Sequence, residues 1–97
     1  MSHGTGQDRL PPTNSARELA NFAEVYYAIL ATNPADTYTQ PRLDAWTRQL
    51  YYVTPPSEQA WVVPRLDRAP ITTIQELLSL VQQIRTALKC DLPLPRR

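Results

Sequence analysis

Ten prolines stand against two glycines in this 97-residue chain, and both glycines, Gly4 and Gly6, lie near its start. Proline fixes φ and offers no N–H, so it suits the first turn of a helix, a loop or a break. A β-meander needs glycine in its tight turns, and residues 7–97 contain none. The pattern therefore predicts helices separated by stiff breaks. An all-α fold is expected, a small bundle of three to four helices with Pro-rich connections.

The length suits one domain, which should bury roughly 60–65% of the surface exposed by the unfolded chain. Hydrophobic residues make up 42% and charged residues 20%, the balance of a globular chain. Residues 1–14 lack periodicity and are read as a flexible N-terminal arm. Residues 15–90 form the single helical domain, and 91–97 a Pro/Arg tail.

The first helix opens at Ser15, which with Glu18 has the spacing of a capping box. Leu19, Phe22, Ala23, Tyr26, Ile29 and Leu30 follow at helical spacing, and Asn33-Pro34 stops them. The reverse face carries Ala20, Asn21, Glu24, Ala28 and Ala31, small and thinly charged. A second helix is expected over Gln40–Val53, with Thr39 before it and Pro41 in its first turn. Leu43, Trp46, Leu50 and Val53 face the core, and Asp44 and Arg48 have i,i+4 spacing. Residues 54–70 read either as a short helix ended by Pro64 or as an extended piece over Ala60–Val63. The short helix is favoured, with Arg65–Pro70 as a polar connection. The last helix starts at Thr72 or Thr73, with Gln75 or Glu76 completing the box. Ile74, Leu77, Leu78, Val81, Ile84 and Leu88 form its stripe, which Leu80 and Ala87 widen beyond what one neighbour needs.

Chemistry is sparse. The single histidine, His3, falls in the arm, which removes His-based triads, Cys–His dyads and most zinc sites from the folded part. Cys90 falls at a helix C-terminus, where the dipole opposes a thiolate, and reads as an incidental free thiol. Glu18, Glu58 and Glu76 sit in first turns, where a negative charge belongs on structural grounds. With both glycines in the arm there is no phosphate-cradling loop. The expectation is a non-enzymatic protein with no cofactor and no metal. No apolar run spans a membrane, no signal-peptide core opens the chain, and the lone cysteine fits a reducing compartment. A soluble, intracellular, cytoplasmic protein is the corresponding expectation.

The aromatics are the best remaining clue. Tyr26-Tyr27 and Tyr51-Tyr52 are adjacent on helices, and neighbours about 100° apart cannot both enter a core. One of each pair, Tyr27 and Tyr52, is expected at the rim or outside, with Tyr38 in a loop and Trp61 on the short segment. Exposed Tyr and Trp are enriched at protein interfaces. The tail Leu92-Pro93-Leu94-Pro95-Arg96-Arg97 has a polyproline II character with a basic pair, and is read as a frayed terminus.

The order of elements is similar to that of a deltaretroviral matrix domain. An amphipathic helix ending in Asn33-Pro34 is followed by a helix bearing Trp46, a Pro-rich connection and a Leu-rich helix. The resemblance implies a viral structural or accessory protein of matrix-like helical architecture. It also implies an N-terminal myristoylation glycine and a basic membrane-facing patch. Here residue 2 is Ser, and the charge is spread evenly along the chain.

The leading expectation is a structural or adaptor module for protein–protein interaction or self-assembly, its partner a protein, a second copy included. Its interface residues are Tyr27, Tyr52, Trp61 and Leu80, and Leu80→Glu is expected to abolish association with the helical signal kept. Nucleic acid is the less favoured partner. A regulatory binder of that kind requires Arg42, Arg48, Arg65, Arg68 and Arg85 to meet on one face, because phosphate neutralisation supplies most of such affinity.

Overall fold

Ser15 begins the first helix as its spacing predicts. Its Oγ accepts from the Glu18 amide at 3.1 Å, and its own amide donates to Glu18 Oε1 at 2.8 Å. The computed structural model describes residues 14–88. His3, Cys90, the arm as far as Thr13 and the tail from Asp91 onward lie outside them. Within the described residues the chain is a small all-α bundle of four helices: α1 (Ala16–Leu30), α2 (Gln40–Val53), α3 (Pro56–Arg68) and α4 (Ile74–Ala87). None is long and apolar enough to cross a membrane.

Hydrogen bonds between distant residues fix the directions of the helices. Gln75, early in α4, donates to Pro34 O just beyond α1 at 2.6 Å, while Tyr26 in α1 donates to Gln82 in α4 at 3.3 Å. These two helices therefore run antiparallel. Gln40 opens α2 and donates to Ile71 O, before α4, at 2.8 Å. At the opposite end, Asn14 precedes α1 and meets Ser57 at the start of α3 through two bonds of 2.8 and 3.0 Å. The result is an up-down-up-down bundle in which α2 and α4 start at the same end.

The core is drawn from all four helices, unequally. α4 buries Ile74, Leu77, Leu80, Val81 and Ile84, α1 buries Phe22, Ala23, Tyr26 and Ile29, α2 buries Leu43 and Leu50, and α3 buries Val62. Helix α4 touches each of the other three. That explains the width of its apolar arc: one helix face serves three neighbours inside a single chain.

Residues 54–70 differ from expectation. Pro64 does not end the helix; α3 continues through it to Arg68, so Arg65–Arg68 is helical. A proline in a helix interior leaves the carbonyl four residues earlier, here Ala60, without its amide donor. Pro64 is exposed, so water is available to that edge of the helix, while buried Val62 and half-buried Leu66 hold the opposite face on the core. Pro55 is the N-cap residue of α3 and supplies no capping side chain. Asn14 does so from elsewhere in the chain, its Oδ1 accepting from the Ser57 amide. Asn14, assigned to the arm by the sequence, is therefore part of the folded domain. The tight connection into α3 is internally satisfied. Buried Thr54 donates to Leu50 O at 2.6 Å, and its carbonyl accepts from Gln59 Nε2 at 3.1 Å.

Helix α4 is capped by Thr73, whose side chain accepts from the Glu76 amide at 3.1 Å. The Glu76 carboxylate does not return to Thr73; its Oε1 accepts from the amide and hydroxyl of Thr72 at 2.9 and 3.1 Å. Those bonds, with Arg65 nearby, hold the Glu76 pKa below its ordinary value of 4.5.

Two outcomes follow from these local structures. Pro64→Ala restores the missing amide and should stabilise the domain by about 1–3 kcal/mol, read as a higher urea midpoint. For Glu76, the folded pKa lies below the unfolded one. Its contribution is complete above pH 4.5 and is lost as pH falls through the lowered folded value. Glu76→Gln should therefore flatten the acid limb of the stability–pH curve and leave its neutral slope unchanged.

Candidate interaction surface

Successive positions of an α-helix turn by about 100°, so the two buried leucines of α2 dictate where its tyrosines go. Tyr52 is nine residues from Leu43, which puts it on the opposite side of the helix, and it is 75% exposed. Tyr51 lies at the border of the buried face and is 39% exposed. The two rings meet edge to face at 5.8 Å, a favourable aromatic geometry. Adjacency did predict an exposed Tyr52. Leu50 takes the core position beside Tyr51 and leaves Tyr51 a partly covered site at its border.

Both tyrosines border an open cleft of about 480 Å³ between α2 and the C-terminal half of α3. Asp44, Thr47 and Arg48 line it from α2, Leu66 and Asp67 from α3, and Pro70 and Ile71 from the connection to α4. The cleft combines two exposed aromatic rings with a floor of Leu66 and Ile71 and two carboxylates flanking one guanidinium. Asp44 is held by Gln40 Nε2 at 2.8 Å, the same amide that reaches Ile71 O. One side chain thus ties the cleft's α2 wall to its far corner.

The other expected interface residues are elsewhere. Trp61 is 37% exposed, and its indole N–H donates to Glu58 on its own helix. It stands five residues before Leu66, about 140° round α3, and so faces away from the cleft. Tyr27 is half-buried, packed against the core and edge-on to Tyr26 at 5.4 Å. Leu80 requires correction. It is only 3% exposed and belongs to the core that α4 shares with its neighbours. Its apparent surplus reflected a count that gave α4 one neighbour where it has three. Along the back of α1, Ala20, Ala28 and Ala31 are exposed.

Three of the five arginines of the nucleic-acid alternative sit in different surroundings. Arg42 lies over the Tyr38 ring at 5.9 Å. Arg48 shares the cleft with two aspartates, and Arg65 shares a smaller groove between α3 and α4 with Glu76. A phosphate backbone approaching Arg48 or Arg65 meets a carboxylate in the same groove. Among the described residues no group of three or more His, Cys, Asp or Glu side chains is placed to hold a metal ion.

No protein family, curated protein or solved structure matches this chain.

Leu80 and Tyr52 should separate cleanly on substitution. Leu80→Glu places a carboxylate in the core and should unfold the domain, with loss of the far-ultraviolet helical signal. Tyr52→Glu removes an exposed ring and should change stability by about 0.5 kcal/mol or less, measured by the same chemical denaturation.

Proposed function

We propose that this protein is a non-enzymatic interaction module that binds protein through the cleft between α2 and α3, with a second copy of the chain among its ligands. The observation that supports this is the exposed Tyr51–Tyr52 pair standing over an open cleft with an apolar floor. Rings of this kind supply large contact area at low entropic cost, because tyrosine has few rotamers to lose. The flanking Asp44, Arg48 and Asp67 form a polar rim that sets orientation and discriminates between partners. The wide apolar face of α4 plays no part in this reading, since the core consumes it.

Light scattering over a concentration series tests the self-association form. The weight-average mass of the wild type is expected to rise above the 11.1 kDa of one chain as concentration increases. Tyr52→Glu, which leaves the fold intact, should hold the mass at that of one chain over the same range. A rise of equal size in both proteins would remove the tyrosine cleft as the contact. A constant 11.1 kDa in the wild type would remove self-association.

A further inference from the structure

We propose that the cleft between α2 and α3 docks on the same cleft of a second copy, in a two-fold pairing that sets Arg48 of each copy on Asp67 of the other. The proposal rests on reading the cleft as the contact surface, and it deepens that reading by committing to one occupant and its contacts.

The charges of the cleft decide the occupant. By count they favour a basic ligand, since Asp44 and Asp67 stand against Arg48. Asp44, however, already accepts from Gln40 Nε2 at 2.8 Å, and the same amide reaches Ile71 O. Arg48 and Asp67 are both exposed, and neither has a hydrogen bond or an ion pair among the described residues. The cleft therefore offers one uncommitted charge of each sign, Arg48 on its α2 wall and Asp67 on its α3 wall. A basic ligand would satisfy Asp67 and bring a like charge to Arg48, and an acidic ligand would do the reverse. A second copy satisfies both, and it does so at two places.

This is the self-complementarity that an isologous contact requires, in which residue i meets j and j meets i. The half-turn that exchanges Arg48 and Asp67 has its axis in the contact plane, midway between them. It lays α2 of each copy over α3 of the other. The apolar parts follow the same exchange. Tyr51 and Tyr52 stand on the α2 wall, so they face the α3 wall of the second copy, where half-buried Leu66 lines the cleft. Tyr52 points outward from α2 and is 75% exposed, which suits contact with a surface approaching from outside the bundle. Guanidinium–carboxylate pairs are charge-assisted and directional, so the two pairs fix the register while the rings supply the area. Net charge does not oppose the approach, since ten Lys and Arg stand against nine Asp and Glu.

Charge reversal and mixing test the pairing, with light scattering at a concentration where the wild type is associated. Arg48→Asp and Asp67→Arg each set like charges together at both contacts. Each variant alone should associate about tenfold or more weakly and stay near 11.1 kDa. An equimolar mixture of the two restores an opposite pair at both contacts and should approach twice that mass. Repulsion within one chain is the same before and after mixing, so only a contact between chains can respond. The double variant Arg48→Asp/Asp67→Arg should associate as the wild type does. Single variants as heavy as the wild type, or a mixture no heavier than its components, overturn the pairing. A wild type constant at 11.1 kDa overturns the second copy as occupant. Failure of the cleft itself reads differently, because Tyr52→Glu would then associate as fully as the wild type.

Discussion

The packing of α4 against all three other helices is the constraint from which the rest of the bundle follows. Leu77, Val81 and Ile84 are fully enclosed, and each lies on a helix that no single neighbour could cover. Helices α1, α2 and α3 each pack against α4, and α2 in turn touches all three of its neighbours. The polar bonds at the two ends then only select which termini lie together. Gln40 and Gln75 hold one end, and Asn14 with Ser57 holds the other. None of these bonds is strong in water, yet each satisfies a backbone group that helix ends and turns leave without a partner.

The cleft is a by-product of that arrangement with a chemical character of its own. Its floor comes from Leu66 and Ile71, residues at the edge of the core. Its rim comes from the outward positions of α2, where burial of Leu43 and Leu50 forces Tyr52 into solvent. An exposed tyrosine pair is therefore a direct geometric outcome of two leucines seven residues apart.

Much of the fold is legible in the sequence because its signals are local. The Ser15–Glu18 box, the Pro41 start and the α4 stripe each act within one or two turns, and α1, α2 and α4 form where those signals place them. The errors arise where a long-range contact outweighs a local one. Pro64 is locally a terminator, but the packing of Val62 and Leu66 carries α3 past it. Leu80 looks like surplus until α4 is given three neighbours. Asn14 reads as the last residue of an arm, and its role as the cap of a helix 43 residues away has no local signature. Of the site, Tyr52 and Trp61 were readable as exposed. The cleft itself was not, because it depends on how α2 and α3 lie together.

Helix α3 is the least anchored element: Val62 is its one buried residue, Pro64 interrupts its ladder, and its Ser57 amide depends on Asn14. Yet α3 supplies one wall of the cleft. If the cleft is the contact surface proposed above, occupancy and local order are two sides of a single equilibrium, since a ligand seated between α2 and α3 would bind only molecules in which α3 is docked. Anything that loosens the Asn14–Ser57 contact weakens binding at a distance, and anything that fills the cleft protects α3 from opening. On that proposed reading, the weakest helix of the bundle is the one whose stability a partner would set.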